Sequence, residues 1–245
     1  MPTNILITGS NRGIGRGLLE AFVSKLNITV IAGVRDVTSS EESLSSVKVG
    51  VGSKIITVKL DSADKTGAKV AVEELKTKHG ITHLDMVIAN AGIAKYWGTV
   101  LDTPSEEFVD HYNVNTLGPV LLFQATWSLL DRVTSPKFVV ITSLLGSITE
   151  IDNFPLPNAA YASSKAAINF IARKLHFEHE KLLVITINPG WVQTDMGNAG
   201  AAANGLAEAP VTLQDSVTGI VSKIEGVTSA TSGSFFSYDQ IEIPW

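Results

Sequence analysis

The sequence predicts an α/β protein with a doubly wound parallel sheet of about seven strands and helices on both faces. Three observations carry this prediction. Short runs of β-branched residues alternate with longer helical patterns along the chain. The runs are almost continuously apolar, as expected of strands that are buried on both faces. A glycine-rich turn follows the first run and opens a helix, the kind of junction at which such sheets bind ligands.

The predicted strands are short and evenly distributed. They cover residues 5–8, 29–32, 55–59, 86–89, 138–142, 184–188 and 234–237. The longest helical pattern runs from residue 158 to about 181. Because no internal repeat or linker is visible, we expect residues 1–245 to form a single domain.

Helix signals and loose segments fill the intervals. Thr103 to Glu106 predicts a capping box with proline at the first helical position, and Thr212 opens a late helix similarly. Serine-rich residues 39–52 and alanine- and glycine-rich residues 198–210 are predicted to be loose. The second segment is either a mobile flap over a pocket or an ordinary surface loop.

Composition narrows the function classes. Hydrophobic residues make up 44% of the chain, and 19 basic against 24 acidic residues give a net charge of -5. Without a basic cluster, nucleic acid is not an expected partner. The absence of cysteine excludes disulfides and thiolate chemistry, and the five histidines show no metal-ligand grouping. With no signal peptide and no long apolar run, we expect a cytoplasmic protein without membrane contact.

The glycine turn favours an anionic ligand. Glycines 9, 13 and 15 let a ligand approach backbone N–H groups closely, at a helix N-terminus whose dipole attracts anions. The spacing differs from the general dinucleotide pattern, in which the first two glycines are separated by one residue. A purely structural strand-to-helix turn would also use glycine. Its position after the first strand favours a diphosphate-containing cofactor.

Tyr161 and Lys165 form a candidate proton-transfer pair. Four residues apart on a helix, their side chains share one face. A free tyrosine has a pKa of about 10, and a cation about 4 Å away could lower it to about 7. We therefore expect Lys165 to lower the pKa of Tyr161. Alone, the spacing is more typical of a half-buried aromatic side chain beside a surface amine.

Six motifs in the same order give the chain a wider resemblance. The sequence resembles the classical short-chain dehydrogenases/reductases, which implies a Rossmann-type fold and a nicotinamide cofactor. The ending, residues 234–245, looks like the branch with sniffer-like and C-factor-like carbonyl reductases and fungal norsolorinic acid ketoreductases. The resemblance lies in the glycine turn Thr8-Gly9 to Gly15, Asn90-Ala91-Gly92, Asn115, Ser143, Tyr161 with Lys165, and Pro189-Gly190.

The resemblance implies NADP(H) rather than NAD(H). Val34 occupies the position where NAD-preferring members carry an acid, and Arg35 and Arg12 match basic positions of NADP-preferring members. Asp36 is the alternative ribose ligand if the match shifts by one residue. The implied cofactor-binding positions are Gly9, Ser10, Asn11, Arg12, Gly13, Ile14, Gly15, Arg35, Asp61, Ser62, Asn90, Ala91, Gly92, Tyr161, Lys165, Pro189, Gly190, Val192 and Thr194.

Individual roles follow from the same resemblance. Asp61 would contact the adenine, although a helix cap is the competing interpretation. Thr194 would bind the nicotinamide carboxamide, helped by the backbone of Val192. Gly92 would let the adenosine half of the cofactor lie against the backbone.

The implied catalytic set is Asn115, Ser143, Tyr161 and Lys165. Tyr161 would donate a proton to a reduced carbonyl, and Ser143 would polarise that carbonyl. Asn115 either anchors a proton-relay water or bonds to backbone at a helix kink; the two interpretations are compatible. Other hydroxyls near Ser143 are Thr142 and Ser147.

The resulting hypothesis is an NADPH-dependent carbonyl reductase acting on a small molecule, with a possible homodimer. A catalytically silent NADP(H)-binding regulator and a lyase or epimerase are the alternatives. The connection between Ser143 and Tyr161 is long for the family and would border the substrate pocket. Five apolar side chains either line that pocket or belong to the core or to an interface: Trp97, Phe154, Trp191, Met196 and Trp245.

Overall fold

The computed structural model describes residues 2–245. Its centre is a seven-stranded sheet in the order β3-β2-β1-β4-β5-β6-β7, in which every neighbouring pair of strands is parallel. All seven predicted strands and the doubly wound fold class are confirmed. The strands are β1 Thr3–Thr8, β2 Ile28–Val34, β3 Lys54–Lys59, β4 Met86–Ala89, β5 Lys137–Ile141, β6 Leu183–Asn188 and β7 Phe235–Ser237.

Helices cover both faces of the sheet. One buried cluster packs Leu6 and Phe138 against helices α3, α5 and α6, and another packs Ile5 and Ile7 against α1 and α8. Alternate residues of one strand thus point to opposite cores. The helices are α1 Gly13–Val23, α2 Val37–Leu44, α3 Gly67–Thr77, α4 Ser105–Tyr112, α5 Gly118–Leu130, α6 Ala159–Glu178, α7 Asp195–Ala203 and α8 Leu213–Glu225.

The strand order changes direction between β1 and β4. From β1 the chain moves outward to β2 and β3, then crosses back to place β4 on the other side of β1. The loops after β1 and β4 therefore leave the same edge of the sheet in opposite directions. Such a switch point opens a crevice at the carboxyl ends of the strands.

Three local predictions are wrong or incomplete. The hydroxyl of Thr103 donates to the carbonyl of Thr99 instead of capping a helix, and α4 begins only after Pro104. The first half of residues 39–52 is helical because the Asp36 carboxylate caps α2. Much of residues 198–210 belongs to α7, whose first turn is capped by the hydroxyl of Thr194. The cap predicted at Thr212 is confirmed.

The chain after β7 folds back beside the sheet. Phe236 and Glu242 form an antiparallel bridge, and the ring of Trp245 stacks on Phe235 at 5.5 Å. The Thr149 hydroxyl donates to the carbonyl of Trp245 over 2.8 Å. The last residues of the chain therefore lie against the connection that follows β5. None of the helices in residues 2–245 has the length and apolar character needed to cross a membrane.

Candidate active site

The glycine turn is closed too tightly for larger side chains. Gly9 and Gly13 have positive φ angles of 65° and 53°. A Cβ atom on Gly15 would lie 2.2 Å from the Gly9 carbonyl oxygen and 2.5 Å from the Asn90 amide nitrogen. The turn thus brings the start of α1 against the loop after β4, and only glycine fits there.

Side chains of the two central strands tie the two loops together. The Thr8 hydroxyl accepts the backbone N–H groups of Asn90 and Ala91, each over 3.0 Å. The Asn90 amide donates to the carbonyl of Thr8 over 2.9 Å and to that of Gly9 over 3.3 Å. Sequence reasoning gave the Thr8 side chain no role. Its signals were its position at the end of the first strand and its place at the start of the glycine-turn motif.

The glycine turn presents groups suited to an anion. The side chain of Arg12, the residue before α1, makes no capping hydrogen bond. The first backbone N–H groups of α1 therefore remain available to an anion in the crevice. Ser10 is fully buried, and its hydroxyl has no hydrogen-bond partner within residues 2–245. Asn11 is exposed and Ile14 is half-buried against the core. The turn therefore fits the diphosphate of a dinucleotide.

Two arginines flank the crevice. Arg35 is exposed immediately after β2. Val34 is only 1% exposed, so its side chain belongs to the core. The Asp36 carboxylate accepts the N–H of Ser39, which favours its role as a helix cap. The exposed guanidinium of Arg12 pairs with Asp195 at 3.1 Å, linking the glycine turn to α7.

The loop after β3 also reaches the crevice. The Asp61 carboxylate accepts the N–H of Ala63 over 3.0 Å, which is the local cap-like contact considered as its alternative role. Asp61 and Ser62 are half-buried. A Cβ on Gly118, at the start of α5, would lie 2.9 Å from the Ser62 Cβ. The loop after β3 thus lies against the start of α5.

Asn115 lies in a π-helical turn between α4 and α5, Asn113–Leu117. Its side chain accepts the N–H of Ile93 over 2.8 Å and donates to the carbonyl of Ile93 over 2.9 Å. It also donates to the Ser164 hydroxyl over 3.0 Å. The expected bond to backbone at a kink is therefore present, and it holds the loop after β4 against α6.

Tyr161 and Ser143 face each other beside this loop. Tyr161 is half-buried in the first turn of α6, and Ser143 follows β5 at the carboxyl edge of the sheet. The other two hydroxyls are engaged elsewhere: Thr142 donates to Asn169 over 2.6 Å, and Ser147 to the carbonyl of Pro244 over 2.6 Å. Ser143 is therefore the hydroxyl of the three that faces the Tyr161 phenol.

The charges at the site differ from the sequence-based expectation. Burial raises the pKa of Tyr161 above its ordinary value, while the hydrogen bond from Ser143 acts in the opposite direction. The Lys165 ammonium lies 5.8 Å from the centre of the Tyr161 ring and donates to the carbonyl of Ile141 over 3.0 Å. The expected lowering of the Tyr161 pKa is absent: burial raises this pKa, and Ser143, not Lys165, is the group that acts against the rise.

Lys165 itself is almost completely enclosed. Burial lowers its pKa from 10.5 to about 8. A Cβ on Gly92 would lie 3.6 Å from its ammonium nitrogen and 3.1 Å from the Asn115 side-chain oxygen. The side chains of Asn115 and Lys165 thus converge on Gly92 in the loop that follows β4.

The loop after β6 closes the crevice on its other side. Gly190 has a φ of 81°, and the carbonyl of Pro189 accepts the Ser216 hydroxyl over 2.7 Å. Val192 is buried and forms a bridge with Val211. A Cβ on Gly13 would approach the Thr194 methyl group to 3.3 Å, so this loop lies directly across from the glycine turn.

The five apolar candidates lie in different surroundings. A Cβ on Gly200 of α7 would lie 2.8 Å from Trp97 and 3.6 Å from Trp191, so both indoles face α7. Phe154 and Met196 are each 40% exposed. Trp245 instead stacks on Phe235. Among residues 2–245, no group of three metal-ligating side chains is gathered.

Comparison with known proteins agrees with this geometry. A family model described as short chain dehydrogenase matches residues 3–204. Norsolorinic acid ketoreductase from Aspergillus parasiticus is 43% identical, covering 99% of this chain and 91% of the relative. The enzyme of the same name from Dothistroma septosporum is 42% identical over 99% of this chain and 92% of its own length.

Solved structures show the same architecture. An NADPH-bound carbonyl reductase from chicken fatty liver superposes with a TM-score of 0.86 at 26% identity, with 100% of both chains covered. The carbonyl reductase Sniffer of Drosophila melanogaster gives a TM-score of 0.85 at 25% identity, again covering 100% of both chains.

Proposed function

Because the chain belongs to the short-chain dehydrogenase family of oxidoreductases, we propose that it is an NADPH-dependent carbonyl reductase. Its substrate would be a ketone or aldehyde of bulky or apolar character, with Tyr161 as the general acid. One observation carries the proposal: Tyr161, Ser143, Lys165 and Asn115 gather at the switch-point edge of the sheet, beside a glycine turn suited to a diphosphate. The proposal takes residues 1–245 as one cofactor-binding domain.

The cofactor would lie along the carboxyl edge of the sheet. The glycine turn, Gly9 to Gly15, would bind its diphosphate through backbone N–H groups. Asp61 and Ser62 would hold the adenine end, and the loop from Asn90 to Gly92 would support the adenosine. Pro189 to Thr194 would bind the nicotinamide end. The bound cofactor supplies the hydride.

The protein groups would handle the charge that develops on the substrate oxygen. The Ser143 hydroxyl donates a hydrogen bond to the carbonyl, and the Tyr161 hydroxyl donates its proton to the oxygen as negative charge builds there. Because burial raises the Tyr161 pKa, this residue holds its proton at neutral pH, as an acid for reduction requires. Lys165 places a positive charge beside the phenol, and Asn115 fixes the adjoining loop.

The first test is net consumption of NADPH with acetone, acetophenone and benzophenone. We expect turnover with the aromatic ketones in preference to acetone. The indoles of Trp97 and Trp191, which face α7, would form an apolar wall for an aromatic substrate. A silent NADP(H)-binding regulator would bind NADPH without consuming it. Absence of turnover with each ketone, despite measurable NADPH binding, would favour that alternative.

Tyr161→Phe tests the general acid. Removing the phenolic proton should lower kcat by about 10²- to 10⁴-fold, with the dissociation constant of NADPH nearly unchanged. Initial rates and NADPH titration by tryptophan fluorescence measure the two quantities. Tyr112→Phe is the matched control, because Tyr112 lies on α4 and is 43% exposed. Retained activity in Tyr161→Phe would contradict the assigned role.

Arg35→Ala tests the choice of cofactor. If the exposed Arg35 guanidinium binds the 2′-phosphate, the variant should lose about tenfold in kcat/KM for NADPH, equivalent to about 1.4 kcal/mol. The value for NADH should stay nearly constant, since NADH lacks that phosphate. Arg132→Ala, at an exposed arginine after α5, should affect neither cofactor. Equal losses with both cofactors would refute the assignment.

A further inference from the structure

His111 is a buried residue that the proposed mechanism does not use. It lies on α4, its side chain is 0% exposed, and its ring centre is 6.5 Å from that of Tyr161 in an edge-on arrangement. A fully buried imidazole next to the proposed acid needs defined hydrogen-bond partners. Each of its two ring nitrogens has one such partner.

The hydrogen bonds of His111 fix its tautomer. Its Nε2 accepts the backbone N–H of Lys95 over 3.1 Å. A backbone N–H can only donate, so Nε2 carries no proton and the proton lies on Nδ1. Nδ1 then donates to the carbonyl of Glu107 over 2.7 Å. The imidazole thus binds the helix on one side and the loop after β4 on the other.

The loop held by His111 connects the parts of the candidate site. We define the wall segment as residues 93–98. Its first residue, Ile93, is held at both backbone groups by Asn115. Near its end, Trp97 faces Gly200 of α7. The carbonyl of Gly98, its last residue, accepts the N–H of Ala159 over 3.2 Å.

His111 provides the central attachment of the wall segment. The Asn115 contact lies two residues before Lys95, and the Ala159 contact lies three residues after it. Ala159 is itself two residues before Tyr161, in the first turn of α6. Displacement of the wall segment at Lys95 would therefore act on Trp97 and on the helix turn that carries Tyr161.

We propose that His111 is a positioning residue for carbonyl reduction, which acts by fixing the wall segment through the N–H of Lys95. This inference rests on the proposed function. Without the acceptor, the Lys95 N–H loses its partner. The backbone of the wall segment then gains freedom between its two outer attachments, where the exposed ion pair of the Lys95 side chain with Asp110 still ties Lys95 to α4. The substrate and the Tyr161 side chain are then held less precisely, whereas the glycine turn proposed to bind the diphosphate is unaffected.

The test uses two substitutions of similar size and shape, His111→Gln and His111→Met. Both remove the ring, but only glutamine keeps an acceptor near the position of Nε2. We expect His111→Met to lose about tenfold or more in kcat/KM for acetophenone relative to His111→Gln, with equal NADPH dissociation constants. Asp110→Asn is the control, because Asp110 lies beside His111 on α4 and pairs with the exposed Lys95 ammonium. It should match the wild type.

Hydrogen–deuterium exchange gives a readout that does not depend on turnover. The peptide covering residues 93–98 should exchange faster in His111→Met than in His111→Gln or the wild type. If His111→Met does not fold, His111→Phe takes its place as a ring without an acceptor. Equal kinetics and equal exchange in the acceptor-free and glutamine variants would overturn the inference. A wild type that consumes no NADPH would instead overturn the proposed function, and exchange would still decide whether His111 fixes the wall segment.

Discussion

Lys165 keeps an ammonium group inside the protein, where the residue is only 5% exposed. Its hydrogen bond to the carbonyl of Ile141 compensates only in part for the lost hydration. The lowered pKa of about 8 reflects the part of the desolvation cost that this hydrogen bond does not offset. In the unfolded chain this lysine takes up its proton at pH values below 10.5, whereas in the folded protein it does so only below about 8. Stability is therefore lost as the pH falls through this interval.

Lys165→Met should make the protein more stable at pH 7. The shifted pKa corresponds to about 3 kcal/mol of destabilisation, fully present below pH 8 and absent above pH 10.5. The lost hydrogen bond to Ile141 costs about 1 kcal/mol in return. We therefore expect a net gain of about 2 kcal/mol in the free energy of unfolding at pH 7, and a loss of about 1 kcal/mol at pH 10.5, where only the missing hydrogen bond remains.

Urea denaturation at both pH values measures this effect. Lys69→Met, at an exposed lysine of α3, is the control and should show little difference between the two pH values. A Lys165→Met variant that is no more stable than the wild type at pH 7 would sink the prediction. The same variant should lose its reductase activity, because the buried ammonium that destabilises the fold is the group that the proposed mechanism needs beside the phenol.

At the scale of residues, the sequence predicted Tyr161, Ser143 and Asn115 as site residues because family motifs mark them, and the structure places these residues near one another. It did not identify His111, whose partner Lys95 lies 16 residues earlier and whose contact leaves no local pattern. It also gave the wrong sign for the Tyr161 pKa, because the spacing of two residues on a helix does not reveal how deeply they are buried.

At the scale of elements, the turn between β1 and α1 is the most constrained. A side chain at Gly15 would overlap the Gly9 carbonyl, whereas one at Gly17 would press on Val217 of α8 at 2.6 Å. Both positions resist substitution, but only the first lies in the turn proposed to bind the diphosphate. Comparing substitutions at Gly15 and Gly17 therefore distinguishes a loss of stability from a loss of cofactor affinity.

Gly15→Ala and Gly17→Ala should each lower the free energy of unfolding by about 1–3 kcal/mol, because extra atoms are forced into packed regions. Only Gly15→Ala should also weaken NADPH binding, by about tenfold or more, since it displaces the turn. Thermal or urea denaturation and NADPH titration measure the two effects. If Gly17→Ala weakened binding as strongly as Gly15→Ala, the turn would not be the diphosphate site.

The elements themselves were largely predictable from the sequence. Strands buried on both faces leave continuous apolar runs, which is why all seven were found. The helices α2 and α7 were missed because their compositions, rich in serine or in alanine and glycine, resemble those of loops. Their caps, Asp36 and Thr194, were instead assigned only to possible cofactor contacts.

At the scale of the whole molecule, alternation of strands and helices predicted a parallel sheet but not the order of its strands. That order depends on pairings between distant segments, such as Ile5 with Met86 in β1 and β4. The candidate site residues are likewise far apart in the sequence, because they come from the ends of β1, β4 and β5, from the turn between α4 and α5, and from α6. The path of the chain after β7 was equally unpredictable, because the bonds of Ser147 and Thr149 reach almost 100 residues ahead, with separations of 97 and 96.

That returning path determines where the protein tolerates an added peptide. An affinity tag fused after Trp245 would begin beside Thr149, a few residues beyond Ser143, and would compete with the contacts that hold this connection. A tag placed ahead of Thr3 would emerge where β1 begins, at the edge of the sheet opposite the crevice. A tag at the amino terminus should therefore leave the candidate site undisturbed.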